Sequence, residues 1–234
     1  KWGRNVGISN AASLNEAVLS GRVADLIRIT EAYQEKRIAK IADEIAKERD
    51  RLRIILIAGP SSSGKTTFAQ RLSIQLRINN LNPVSISLDD YFVDRDQTPL
   101  DEDGNYDFEA IEAIDIKLFN EHLSKLIQGE PVKLPSFNFI EGQREWRDKT
   151  LQVGADQPII IEGIHGLNDR LTAAIPKGRK FKIYVSALTQ LNVDDHTRIP
   201  TMDVRLIRRM IRDNQFRSHN AVDTITRWPS VRRG

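Results

Sequence analysis

The chain has 234 residues, 40% of them apolar and 29% charged, enough to bury a sizeable core and too apolar for a disordered chain. It has no cysteine, which excludes disulfides, a Cys-ligated zinc site and a thiol nucleophile, and its longest apolar run, Ile54 to Ala58, is far short of the roughly 18 residues that span a bilayer. The net charge of +3 is uneven: Arg198 onward holds nine Arg, no Lys and three Asp, whereas Asp89 to Asp115 holds eleven acids and one Arg. Arginine without lysine suits phosphate, whose oxygens match the planar guanidinium fork. No apolar signal segment stands near Lys1, which points to the cytoplasm. The opening Lys, in place of Met, points to a piece of a longer protein.

Ser13-Leu14-Asn15-Glu16 has the form of a helix-opening capping box with Ser13 as the cap, and Gly21 ends that first helix. From Arg22 to about Asp50, apolar residues recur at helical spacing (Val23, Leu26, Ile27, Tyr33, Ile38, Ile41, Ile45), which predicts a long amphipathic helix. Ile54 to Ala58 reads as a buried strand stopped by Gly59-Pro60. Thr66 to Asn80 reads as a helix and Val84 to Leu88 as a strand ending on Asp89-Asp90. Ile116 to Gln128 reads as a helix capped by Asp115 and stopped by Gly129. Ile159 to Ile161 and Phe181 to Val185 are further strands, and Met202 to Asp213 is a basic helix. Strands alternating with helices predict an α/β fold with a doubly wound parallel sheet, preceded by a helical segment.

Gly59-Pro60-Ser61-Ser62-Ser63-Gly64-Lys65-Thr66 fits the phosphate-binding loop G-x-x-x-x-G-K-[ST]. The glycines let successive backbone N–H groups curl toward phosphate oxygens, and the following helix aims its positive dipole end at the same place. Lys65 then reaches the β- and γ-phosphates of ATP, the Thr66 hydroxyl ligates Mg²⁺, and Thr67 completes the nucleotide-binding stretch. Two strands end in acids, Asp89-Asp90 and Glu162, on the side where parallel sheets bind ligands. One carboxylate for Mg²⁺ and one for an acceptor hydroxyl is what phosphoryl transfer to an alcohol requires. The four histidines form no paired transition-metal site, so the expected metal is Mg²⁺ on oxygen ligands.

The loop, Asp89-Asp90-Tyr91-Phe92, Asn105-Tyr106-Asp107-Phe108, Leu134 to Phe139, Ile161-Glu162-Gly163 and Arg208 to Asp213 occur in an order that resembles the uridine kinase and phosphoribulokinase family of P-loop kinases. The resemblance implies a phosphoryl-transferring P-loop domain over residues 51–234, cut short before its last strand. Residues 1–50 resemble the helical tail of the region preceding the kinase in a bacterial branch, a region similar to the editing part of threonyl-tRNA synthetases and mostly missing here. Carried over by position, it makes Asp89 the base and a metal ligand, Glu162 the Mg²⁺ acid, and Asp107 the ribose-binding acid. Phe137, Phe139 and Arg144 take the acceptor side, and Arg209, Arg212 and Arg217 form the lid. Phe137 stands where the family usually has Tyr, Gly142 where it has His, and His219 where a second lid Arg is usual; losing polar base-reading groups relaxes discrimination. A nucleoside is the leading acceptor, with a sugar phosphate or a pantothenate-like molecule as the alternative. An ATP-gated RNA-binding module is a second alternative resting on the basic tail. The expected partner is that small molecule, with no membrane or nucleic acid and with self-association left open.

Overall fold

The computed structural model describes residues 3, 6–173, 175–217 and 219–233. Helices α1 (Ala11–Leu19) and α2 (Val23–Lys47) lead into β1 (Ile54–Ala58), α3 (Lys65–Ile78) and β2 (Val84–Ser87). Then come α4 (Ile116–Ile127), β3 (Val132–Asn138), β4 (Gln143–Leu151), β5 (Ile159–Glu162), β6 (Lys180–Tyr184), α5 (Thr201–Phe216) and α6 (Ala221–Arg233). The main sheet runs β2-β5-β1-β6 and every pairing in it is parallel. One predicted detail differs. The first helix is capped by Asn10, whose side chain accepts from the Ser13 N–H while Ser13 Oγ accepts from the Asn10 N–H; asparagine caps as well as serine, so the box is displaced by three residues. The acidic stretch 94–103 is folded into a 3₁₀ turn at Arg95–Gln97 and a tight turn in which Asp101 accepts from the N–H groups of Asp103 and Asn105.

β1 is buried over its whole length and feeds both faces of the sheet. Ile54 and Leu56 join Ile86, Ile159, Ile161, Phe119 and Leu123 on the α4 face. Ile55 and Ile57 join Leu72 and Leu76 of α3 and Ile38, Ala42 and Ile45 of α2 on the other. The second half of α2 therefore seals the sheet, and Glu35 and Asp43 bind Gln75 of α3 and Asn79 just past its end beside that seam. The first half projects, with Ile27 and Ile29 about half exposed. Ile45→Ala should therefore cost about 2–4 kcal/mol through the cavity it leaves, while Ile27→Ala should stay within about 0.5 kcal/mol. Urea unfolding of the two variants checks this, and equal small losses would mean that α2 is not part of the core.

β3 and β4 form a separate antiparallel hairpin that stands beside the carboxyl end of β2. It has one apolar side: Leu134 and Phe137 enter the α4-face core, whereas Trp146 of β4 is half exposed.

Candidate active site

The carboxyl ends of β1, β2 and β5 meet at the phosphate-binding loop. Val185 donates its N–H to Ala58 O at 2.7 Å, and its carbonyl lies where a side chain on residue 59 would begin, so only glycine fits there. Ser62 holds a positive φ of 64°, a conformation that costs a serine about 1 kcal/mol or more. The hydroxyls of Ser62 and Ser63 are buried without a hydrogen-bond partner among the described residues. Buried donors left open before a helix N-terminus suit an anion, so these residues fit the phosphates of a nucleotide. Lys65 Nζ donates to Pro60 O at 3.3 Å, and Thr67 is exposed on the first turn of α3.

Thr66 Oγ1 donates to Glu162 Oε1 at 3.0 Å, and Ser87 Oγ donates to the same oxygen at 3.3 Å. The Asp89 N–H donates to Ser87 Oγ at 3.3 Å, and the Ser87–Glu162 bond links the ends of β2 and β5. A hydroxyl beside the Glu162 carboxylate, with Asp89 close by, fits Mg²⁺. That ion keeps waters and phosphate oxygens among its ligands. Burial pushes the Lys65 ammonium down from its ordinary value, against Asp89, Glu162 and Glu109. Burial, with Asp89 beside it, pushes Glu162 up. For an acid held above its ordinary value, the penalty on the folded state is absent at low pH and grows as pH rises through that window. Glu162→Gln should therefore raise Tm by about 2–4 °C at neutral pH. The gain should shrink as the pH falls below the ordinary carboxylate range, where the carboxyl takes up its proton in both states, and turnover should fall. An unchanged Tm at pH 7.5 in thermal melts would contradict this.

Asp89 and Asp90 have separate fates. Asp90 Oδ2 accepts from Arg147 of β4 at 2.6 Å, whereas the Asp89 carboxylate has no hydrogen-bond partner among the described residues and faces Lys65 and Arg217. Glu109, absent from the sequence reading, is half-buried near Arg209, Asp89, Lys65 and Asp107, and desolvation raises its carboxyl. Its only signal was its place two residues after Asp107, whose Oδ1 accepts the Glu109 N–H at 3.0 Å. His165 turns toward this segment and meets Glu109 O at 2.9 Å.

Helix α5 lies over the loop. Arg205 Nε donates to Ser61 O at 3.1 Å, Arg208 Nε to Ser62 O at 3.1 Å, and Arg209 Nη1 to Ser61 Oγ at 2.7 Å. The sequence reading gave no role to Arg205 or Arg208, although their spacing puts them on the face that carries Arg209 and Arg212. Arg212 and Arg217 turn to Asp213, and the Arg217 guanidinium lies 4.7 Å from the centre of the Phe139 ring.

The acceptor-side residues are divided. Phe92, Phe137 and Phe139 form one aromatic cluster, with Phe137 in the core and Phe139 38% exposed. Asp107 is half-buried beside Glu109. Arg144, expected to reach the acceptor, is turned inward: its guanidinium binds Asp115 at 3.1 Å and Phe92 O at 3.0 Å, and its N–H donates to Asp94. Gly142, in the hairpin turn at φ +72°, is overlaid by the Arg95 guanidinium, which leaves no room for a larger residue unless Arg95 moves.

Residues 54–233 match the phosphoribulokinase / uridine kinase family. Curated relatives include a uridine kinase of Deinococcus deserti, 27% identical over 175 residues that span 75% of both chains. A uridine kinase of Lactobacillus helveticus is 30% identical over 179 residues, 75% of this chain and 74% of the relative. Among solved structures, one described as a possible uridine kinase from Bacillus stearothermophilus superposes with a TM-score of 0.55 at 22% identity. It covers 79% of this chain and 91% of that one, a likeness of fold.

Proposed function

The chain belongs to the phosphoribulokinase / uridine kinase family, and from that premise we propose that it transfers the γ-phosphoryl group of ATP to the 5′-hydroxyl of a nucleoside. The observation that carries this reading is the convergence at one end of the parallel sheet of Lys65, Thr66, Glu162 and an Asp89 carboxylate with no hydrogen-bond partner among the described residues. Asp89 takes the hydroxyl proton as the acceptor oxygen bonds to phosphorus and the bond to ADP breaks. Lys65 and the lid arginines Arg209, Arg212 and Arg217 stabilise charge on the transferring oxygens. Thr66 and Glu162, with Asp89 near them, would hold Mg²⁺, which neutralises phosphate charge when bound.

On the acceptor side, Asp107 binds the ribose hydroxyls, and Phe139 with Phe137 behind it offers an aromatic face to the base. Arg144 acts at one remove, by clamping the segment that follows Asp89 through Phe92 O, Asp94 and Asp115. The contacts of Arg205, Arg208 and Arg209 with the loop favour a lid over an RNA-binding face. ADP release measured with uridine, cytidine, purine nucleosides, sugar phosphates and pantothenate tests the proposal. Turnover with a pyrimidine nucleoside supports it. Turnover with a sugar phosphate or pantothenate alone replaces the acceptor class, and salt-sensitive tRNA binding without turnover returns the basic tail to RNA.

A further inference from the structure

Asp213 is the one acid in the basic run from Arg205 to Arg217, and its side chain is only 3% exposed. Arg212 grips its Oδ1 through Nε at 3.0 Å and Nη2 at 2.8 Å. Arg209 Nε lies 3.2 Å from Oδ2, an ion pair bent too far to be a hydrogen bond, and Arg217 Nη1 lies 3.9 Å from Oδ1. The Asp213 carbonyl accepts the N–H groups of Arg217 and His219, so the chain leaves α5 folded around this residue. A buried carboxylate with three guanidiniums leaves two positive charges in surplus. Without it, three like charges within a few ångströms would push apart in a poorly screened site.

Two of the three arginines also touch other parts of the site: Arg209 binds Ser61 Oγ in the loop, and Arg217 lies over the Phe139 ring. We propose that Asp213 is a positioning residue, a buried counter-ion that holds Arg209, Arg212 and Arg217 as one cluster aimed at the triphosphate, an inference that rests on the phosphoryl-transfer reading. It touches no reacting atom itself. Its effect passes through the arginines, and through them it sets the phosphate end and the acceptor end of the site from one point.

Isothermal titration of the full chain with MgATP, and separately with inorganic triphosphate, tests this without an acceptor. Asp213→Asn keeps the shape and removes the charge; it should raise the Kd of both probes at least about tenfold. The cycle with Arg212→Ala separates positioning from plain destabilisation. If Asp213 works through its arginines, adding Asp213→Asn to Arg212→Ala should weaken binding by no more than about twofold further, whereas independent effects would multiply. Where Asp213→Asn shows no cooperative melt, Asp213→Glu carries the same titration, with an expected loss of about threefold because the longer arm shifts the guanidinium fork. Wild-type affinity in the folded variant, or multiplying losses in the cycle, overturns the inference alone. Failure of the unmodified protein to bind MgATP overturns the phosphoryl-transfer reading and this inference with it.

Discussion

Lys65→Ala should lower turnover by about 10²–10³-fold or more, the scale reached when one preorganised donor is removed from developing charge. Lys65 is the cation lodged between Asp89, Glu162 and Glu109, and burial already strains its charged form. Removing it deletes the point charge offered to the β- and γ-phosphates and leaves three acids facing one another with no ammonium among them. Lys65→Arg should recover little, because a planar fork on a longer arm does not replace a compact ammonium. Steady-state ADP release and MgATP titration together decide it. A Lys65→Ala protein with normal affinity and normal turnover would remove the loop from the chemistry.

Asp89→Asn should cost about 10²–10⁴-fold in kcat with a smaller change in KM, as expected for losing a general base. Asp90→Asn should cost less than about tenfold. The two residues are neighbours in the chain, yet Asp90 is tied to Arg147 of the hairpin while the Asp89 carboxylate is open toward Lys65 and Arg217. Since the Asp90–Arg147 pair is partly solvent-exposed, its loss should lower stability by only about 0.5–1 kcal/mol. Measuring kcat for both variants against one acceptor ranks them. The reverse order would assign the base to Asp90 and make the ion pair part of the reaction.

The parallel sheet, the loop and the basic helix were readable in the sequence because each carries its own signal: a β-branched run, a phosphate-loop spacing, an arginine series at helical period. The β3–β4 hairpin was not. β4 reads Gln-Arg-Glu-Trp-Arg-Asp-Lys-Thr-Leu, and a strand this charged is held by its partner and not by an apolar alternation. Helix α6 was hidden by Pro229 inside it, although its start was marked. Asn220 accepts from the Asp223 N–H and Asp223 from the Asn220 N–H, a reciprocal cap that could have been found. In the site, the loop and its acids were visible one by one. The pairing of Asp90, the inward turn of Arg144 and the place of Glu109 beside Lys65 and Arg209 depend on contacts between residues tens of positions apart, which local spacing does not encode.

β1 belongs to both hydrophobic clusters at once, one through Ile54 and Leu56 and the other through Ile55 and Ile57. Neither cluster can open without breaking the strand on which the phosphate loop hangs. The amide protons of β1 should therefore exchange with solvent deuterium only through whole-molecule unfolding, more slowly than any others in the chain. The loop thus hangs from the most slowly exchanging strand on one side and is bonded to helix α5 through Arg205, Arg208 and Arg209 on the other, so the phosphate cradle keeps its shape through local openings elsewhere in the chain.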